Sequence, residues 1–143
     1  MSFNNKDWFL STSELAGMEI ITRGRRNLDA VRTSGEYRNR IEIMWSYSGQ
    51  TDGMPEPEQE RRMVDVAFEL ADALEADCTA YLTATYTGRH LFIMVFYTRS
   101  VARFSTVLHQ VLGKYEQLPL QIGQADDPDW EDYRDMINNN LGN

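Results

Sequence analysis

Alternation of apolar and other side chains gives the clearest predicted element of the chain. From Arg40 onward, large apolar residues occupy every second position, at Ile41, Ile43, Trp45 and Tyr47. A period of two predicts a strand with one buried face. Residues 90–97 are instead apolar at almost every position. We therefore predict that this second segment is a strand buried on both faces.

Weaker signals add four further strands. Residues 79–86 are rich in Thr and Tyr, and Thr87-Gly88-Arg89 suits a turn that joins them to residues 90–97 as a hairpin. Residues 118–122 predict a last short strand. Residues 8–11 and 18–22 predict two short strands around the turn-forming Ala16-Gly17.

Three segments have the three-and-four spacing of amphipathic helices. The first begins at Pro55-Glu56-Pro57 and extends for about five turns. The second begins after the N-cap Ser100 and ends at Gly113. The third begins near Pro128 and covers about residues 128–139. The apolar stripes are Met63, Val66, Ala67, Leu70 and Leu74 in the first helix, Val101, Phe104, Leu108, Val111 and Leu112 in the second, and Trp130, Tyr133, Ile137 and Leu141 in the third.

The order strand, helix, hairpin, helix, strand predicts an α+β fold with a ferredoxin-like βαββαβ core at about residues 39–124. Extra N-terminal strands and a C-terminal helix complete a single domain over residues 1–143. Right-handed crossovers place both core helices on one face of the sheet, with residues 90–97 in a central strand. Its other face then needs a cover. The C-terminal helix, the N-terminal strands, a second copy in a homodimer or a foreign partner can each supply it.

Length and composition predict a soluble cytoplasmic protein. A chain of 143 residues with 42% hydrophobic residues can build one core. The longest apolar run, residues 91–97, is too short for a membrane span, and residues 1–7 lack the pattern of a secretory signal. Cys78 is the only cysteine, which suits a reducing compartment, and we interpret it as a buried, inert thiol.

The net charge of −8 is unevenly distributed. Residues 54–77 carry eight acidic residues and residues 114–143 carry seven, each with only two basic residues. Such regions repel phosphate backbones, which argues against nucleic-acid binding and favours a basic protein partner. The predicted contact residues for that partner are Glu58, Asp65, Glu69, Asp72, Asp126, Asp127, Asp129, Glu131 and Asp132.

The sequence lacks a recognisable catalytic or metal-binding motif. It contains neither a Walker A loop nor a nucleophile elbow, and we interpret His90 and His109 as surface or boundary residues. We predict no catalytic residue, no metal and no cofactor. The acidic run at residues 126–132 does not fit a calcium loop, because Asp132 and Asn138 stand where glycine and glutamate are needed. It suits a helix start capped by Asp127 instead.

Six arginines between residues 23 and 40 offer a phosphate-contacting patch. Interleaved acids, at Asp29, Glu36 and Glu42, favour a solvated, ion-paired surface over that interpretation. The arginines are Arg23, Arg25, Arg26, Arg32, Arg38 and Arg40.

Several short motifs resemble a bacterial family known as domain of unknown function 695 (DUF695). They are residues 41–47, Asp52-Gly53-Met54-Pro55, Phe96-Tyr97-Thr98, and Asp127-Pro128 followed by Trp130 and Tyr133. The resemblance covers about residues 7–137. The family has no established activity or catalytic residues, so the resemblance assigns no site residue to this chain. Some members are associated with a domain similar to a protein regulator of ribonuclease E, which implies regulation by protein contact. Structural roles would account for Gly53, Met54, Pro55 and Trp130.

Three functional hypotheses follow. The leading one is a non-catalytic, acidic protein-interaction module: an inhibitor, regulator or immunity protein that acts on a basic nuclease or toxin. The alternative is an enzyme or small-molecule-binding protein with a pocket between the sheet and a terminal segment. Aromatic residues available to line such a pocket are Trp45, Tyr47, Tyr81, Tyr86 and Tyr97. A self-assembling structural module is the third.

Overall fold

A computed structural model describes residues 6–141, with the side chains of residues 140 and 141 left out of the description. The fold is a six-stranded antiparallel sheet with helices on both faces. Its strands are β1 (Trp8–Leu15), β2 (Met18–Arg25), β3 (Asn39–Ser46), β4 (Ala80–Gly88), β5 (Leu91–Thr98) and β6 (Leu120–Asp126). Its helices are α1 (Asp29–Thr33), α2 (Pro57–Ala76), α3 (Val101–Leu112) and α4 (Glu131–Leu141).

The strand order across the sheet is β1-β2-β4-β5-β3-β6. The apolar strand β5 lies between β4 and β3, and both neighbours pair with it in antiparallel register. Its central position agrees with the sequence prediction. The alternating strand β3 is also interior, because it pairs with β5 on one side and β6 on the other.

Helices α2 and α3 cover one face of the sheet. The apolar stripe predicted for α2 is buried, with Met63, Leu70 and Leu74 fully inaccessible to solvent. It packs in one cluster with alternate residues of β3 and β5, including Ile43, Phe92 and Met94. Ser100 caps α3 as predicted, because its side chain accepts a hydrogen bond from the backbone N–H of Arg103 at 3.1 Å. We call this side the α2 layer.

The opposite face of the sheet is covered by α4 together with the N-terminal segment. Its cluster contains Val95 and Tyr97 of β5, Trp130 and Tyr133 near the C-terminus, and Phe9 of β1. Of the covers expected from the sequence, the C-terminal helix is the one found on this face, together with residues 28–37, whereas the N-terminal strands extend the sheet itself. We call this side the α4 layer. Leu141, which the sequence assigned to it, has a side chain outside the described part.

A β-bulge in β4 lets one strand contribute to both layers. The register with β5 shifts between Leu82 and Ala84, so that Thr83 is the extra residue. Its hydroxyl donates to the carbonyl oxygen of Val95 at 3.2 Å. Leu82 packs in the α2 layer, whereas Ala84 packs in the α4 layer, although both positions are even-numbered. The bulge thus reverses the alternation of β4 halfway along its length.

Several boundaries differ from the sequence prediction. Strands β1 and β2 extend to Leu15 and Arg25 because they form a long hairpin whose turn end is largely exposed. Strand β6 begins two residues later than predicted, after Pro119. Helix α1 was not predicted, and none of its five residues is buried, so it has no apolar stripe to detect. Helix α4 begins at Glu131, after a turn over residues 128 and 129.

The interpretation of Cys78 as a buried thiol is wrong. The residue is exposed and has a left-handed backbone, with a φ of 60°, directly after α2 ends. A helix-terminating position of this kind points its side chain away from both layers.

None of the helices within residues 6–141 is both long enough and apolar enough to cross a bilayer.

A substitution at Gly24 tests how closely the α4 layer is packed. A Cβ atom added there would lie 2.3 Å from the Phe9 ring and 2.7 Å from the sulfur of Met136. We expect Gly24→Ala to lower the free energy of unfolding by about 1–3 kcal/mol, because the covering side chains must move apart. Urea denaturation measures the change.

Gly123 in β6 is the matched control, because a Cβ atom there would meet no atom within 4 Å. Gly123→Ala should leave the unfolding midpoint almost unchanged. Equal effects of the two substitutions would contradict the packing described for Gly24.

Candidate functional site

The outer face of α2 presents a row of acidic side chains. Glu58, Asp65 and Asp72 are exposed and lie seven residues apart, which is almost two full helical turns. Consecutive members therefore project from the same side of α2, about 10 Å apart along its axis. Arg61 and Arg62 lie between the first two members and are also exposed. The buried side of α2 fixes this row rigidly against the sheet.

Glu69, the fourth acid predicted on this helix, has partners within the fold. Its carboxylate accepts hydrogen bonds from Lys114 and from the Tyr115 hydroxyl, and the lysine also forms an ion pair with it. Glu69 therefore joins α2 to the segment that follows α3. It borders the acidic row but is less available to a partner than Asp65.

An open cleft of about 480 Å³ lies at the start of α2. Three glutamates line it, Glu56, Glu58 and Glu116, and Arg62 is the one basic residue among the lining residues. Tyr47 contributes an aromatic wall, and its hydroxyl donates to the carbonyl oxygen of Gly53 at 2.7 Å. Burial raises the pKa of Tyr47 to about 12, with Asp52 and Glu60 adding to the effect. The wall therefore stays uncharged at neutral pH.

Asp127 has a structural role in the α4 layer. Glu131 and Asp132 are the first two residues of α4. Their backbone N–H groups donate hydrogen bonds to the two carboxylate oxygens of Asp127, at 2.9 and 3.1 Å. The Tyr97 hydroxyl donates to the same carboxylate at 2.6 Å. Burial alone would raise the pKa of Asp127, but the bonds from Tyr97 and the two amides outweigh it, and the pKa is lowered. The predicted helix-start role of Asp127 agrees with this geometry.

Asp132 is also used within the fold. It forms an ion pair with Nε of Arg40 at 2.8 Å, and Glu42 pairs with Nη1 of the same arginine at 2.8 Å. Burial would lower the pKa of Arg40, but the two carboxylates outweigh it and the pKa is raised. The guanidinium thus links β3 to α4. Asp132 is nevertheless exposed, as are the other predicted tail residues Asp126, Asp129 and Glu131.

The two predicted acidic groups do not form one surface. The row on α2 belongs to the α2 layer, whereas Asp129 and Glu131 flank the start of α4 on the other side of the sheet. One flat partner cannot contact both at once. The α2 row is the more regular of the two and has no member shared with a helix cap.

Arg25, Arg32 and Arg40 have carboxylate partners, as the ion-paired interpretation expects. Arg25 is the most firmly held, because its Nη1 donates to both oxygens of Glu75 and to the carbonyl oxygen of Leu82. Glu75 also accepts from the Leu82 N–H at 3.2 Å, so this pair satisfies the backbone next to the bulge in β4.

Neither histidine is placed beside a candidate nucleophile with a general-base geometry. Nδ1 of His90 lies 2.7 Å from the carbonyl oxygen of Ser48, and His109 is exposed, with Nδ1 3.5 Å from the Ser105 hydroxyl. Among the described residues, no group of three or more His, Cys, Asp and Glu side chains is arranged to hold a metal ion.

The five aromatic residues suggested for a pocket lie on opposite faces of the sheet. Trp45 and Tyr47 belong to the α2 layer, whereas Tyr81, Tyr86 and Tyr97 belong to the α4 layer. The space between Tyr86, Tyr97 and α4 is only about 10 Å³, which is the size of one water molecule. The five therefore do not line one shared ligand pocket: Tyr86 and Tyr97 are packed under α4, whereas Trp45 and Tyr47 border the cleft at the start of α2.

The family described as "Family of unknown function (DUF695)" matches residues 6–137, nearly the whole chain. The chain belongs to the DUF695 family. Comparison with curated proteins and with solved structures gave no match. In this DUF695 protein the motifs that carry the resemblance all have structural partners. Trp130 is buried, stacks on Tyr97 with ring centroids 4.2 Å apart, and donates from Nε1 to the carbonyl oxygen of Tyr37 at 2.7 Å.

The Gly53 motif of this DUF695 protein holds the tip of the β4–β5 hairpin. Gly53 has a φ of 86°, and its carbonyl oxygen accepts a hydrogen bond from the His90 N–H at 2.9 Å. A Cβ atom at Gly53 would lie 2.9 Å from the backbone nitrogen of Arg89. Only glycine accommodates both the positive φ and the close approach of the Arg89 backbone without strain.

Asp127 gives a pH-dependent prediction. A lowered carboxylate pKa stabilises the fold above the unfolded value, which is about 3.9, and that contribution disappears as the pH falls through the folded pKa. We expect Asp127→Asn to lower the free energy of unfolding by about 1 kcal/mol at pH 7. The difference from wild type should shrink below about pH 4. Urea denaturation between pH 2.5 and 7 tests this.

Asp129→Asn is the control, because Asp129 is exposed in the same turn. It should follow the wild-type curve at each pH. A difference between Asp127→Asn and wild type that stays constant from pH 7 to pH 2.5 would contradict the role of the carboxylate charge.

Proposed function

We propose that this DUF695 protein is a non-catalytic interaction module that binds a basic protein through the outer face of α2. The observation that carries the proposal is the row Glu58, Asp65 and Asp72, held at two-turn intervals on a helix whose inner side is fully buried. The helix backbone that carries the row is already ordered, so binding of a partner has no entropic cost of folding this segment.

The cleft at the start of α2 adds a place for a basic side chain. Three glutamates and the Tyr47 ring surround it, which are the groups that favour an inserted Arg or Lys. An inserted side chain of this kind would fix the register of the partner along the acidic row. Electrostatic complementarity would also raise the association rate and penalise acidic competitors.

The proposed class of partner follows from the negative charge of the protein and from the lack of a recognisable catalytic motif in its sequence. A nuclease or a nucleic-acid-directed toxin carries a basic surface that binds phosphates, and an acidic protein can occupy that surface and block it. We accordingly propose an inhibitory, regulatory or immunity role. The single cysteine, exposed as a free thiol, supports a reducing cytoplasmic setting.

We also infer that the core belongs to the ferredoxin-like class. Strands β3 to β6 with α2 and α3 follow the order βαββαβ along the chain, and their spatial order is β4-β5-β3-β6 with every neighbour antiparallel. Both helices lie in the α2 layer, as right-handed crossovers require. The β1–β2 hairpin extends this sheet beyond β4.

Charge reversal on the two sides of the sheet tests the interface. The variant Glu58→Lys, Asp65→Lys, Asp72→Lys removes the row on α2. The matched variant Asp129→Lys, Glu131→Lys, Asp135→Lys makes the same change in net charge on exposed residues near α4. Each protein is used to capture partners from the host lysate at low and high salt, and bound proteins are identified by mass spectrometry. Wild type should retain a basic protein at low salt only.

The row variant should lose that protein, and association with the purified partner should slow by roughly tenfold to a thousandfold. The matched variant should keep it. Recovery of no basic protein by wild type would contradict the proposal. Loss of binding in both variants, or only in the matched variant, would show that the α2 row is not the interface.

A further inference from the structure

A second cleft lies in the α4 layer, away from the acidic row. It has a volume of about 410 Å³ and is open to solvent between α4 and the segment that joins β2 to α1. This volume falls within the usual range for small-molecule sites. The lining residues are Arg26, Asn27, Asp29, Arg32, Tyr133, Arg134, Ile137 and Asn138.

The lining is strongly basic although the protein is acidic. Three guanidinium groups face one carboxylate, that of Asp29, which gives the cleft a formal charge of +2 on a chain of net charge −8. The three arginines come from positions 26, 32 and 134, so only the docking of α4 brings them together. Such a concentration of positive charge favours an anionic ligand.

The known partners of these arginines use a small part of their donor capacity. Arg26 donates from Nη1 to the carbonyl oxygen of Lys6 at 3.2 Å and lies over the Phe9 ring, 5.5 Å from its centroid. Arg32 pairs through Nη2 with Asp29 at 3.3 Å, and the Asp29 side chain is 84% exposed. A guanidinium carries five N–H donors, and each of these bonds uses one.

Other lining residues supply hydrogen-bonding and apolar walls. The side chains of Asn27 and Asn138 carry amides that can serve as donors or acceptors. Ile137 and the Tyr133 ring form an apolar side, and the ring is fixed because its hydroxyl donates to the carbonyl oxygen of Arg25 at 2.5 Å. This combination suits a ligand with a charged end and a less polar body.

We infer that this cleft binds a small phosphate monoester through Arg26, Arg32 and Arg134. The planar fork of a guanidinium matches two oxygens of a phosphate, and three such groups suit a dianion with three terminal oxygens. A mononucleotide or a sugar phosphate is of the right size for the cleft. The inference does not depend on the α2 interface, because the two sites lie on opposite faces of the sheet.

Calorimetric titration at fixed ionic strength tests the site with three probes: inorganic phosphate, adenosine 5′-monophosphate and succinate. We expect both phosphate probes to bind and succinate to bind at least about tenfold more weakly, because a carboxylate offers only two oxygens. Tighter binding of the nucleotide than of phosphate would assign the less polar body to the Tyr133 wall. Equal binding of the two would confine recognition to the phosphate, and both results support the inference.

The double variant Arg32→Gln, Arg134→Gln locates the site. We expect about a hundredfold loss of affinity for the phosphate probes, since each charged hydrogen-bonding group is worth about tenfold or more. Arg61→Gln, Arg89→Gln is the matched control, because it removes the same charge from exposed positions that line neither cleft. It should bind like wild type.

Two-dimensional NMR of the wild-type protein gives a readout that does not depend on any variant folding. On titration with inorganic phosphate, the backbone amides of residues 26–32 and 133–138 should shift, whereas those of α2 should not. No binding of either phosphate probe at millimolar concentration, succinate binding as tightly as phosphate, or an unchanged affinity in the double variant would each overturn the inference.

Discussion

The docking of Trp130 onto the sheet is the contact on which the rest of the α4 layer depends. Strand β5 is apolar on both faces, and α2 and α3 can cover only one of them. Trp130 stacks on Tyr97 of β5, and its indole N–H is satisfied by the Tyr37 carbonyl oxygen, so a large aromatic is buried without an unpaired polar group. Asp127 then fixes the start of α4 beside it.

The same two-layer arrangement separates the acidic row from the arginine cleft. The acidic row belongs to α2, and the arginine cleft belongs to α4, with the sheet between them. Opposite charges on one flexible surface would pair with each other and cancel. Held apart by a rigid sheet, each keeps a local field of its own sign. A protein with a net charge of −8 can in this way offer a basic site.

Much of the fold could be predicted from the sequence because the signals involved are local. The alternation in β3, the stripe of α2 and the Ser100 cap each arise from neighbouring residues, and all three agree with the structure. Helix α1 and the outer ends of β1 and β2 have no such signal, since few of their residues are buried. The prediction for Cys78 failed because burial depends on the backbone turn after α2.

The candidate sites were less accessible to sequence reasoning, because they depend on contacts between distant positions. Glu58, Asp65 and Asp72 were predicted as contact residues, because the helix that carries them can be predicted from its own stripe. That Asp127 is bound to Tyr97, and Asp132 to Arg40, follows only from the docked position of α4. Likewise, Arg134 gave no sign in the sequence that it would meet Arg26 and Arg32.

The bulge at Thr83 means that the length of β4 carries information as well as its composition. If Thr83 were instead paired regularly with β5, Ala84 and Tyr86 would turn toward the layer that now receives Leu82, while every amino acid type in the strand stayed the same. A family member without the bulge should therefore be one residue shorter in this strand and still present the same side chains to each layer.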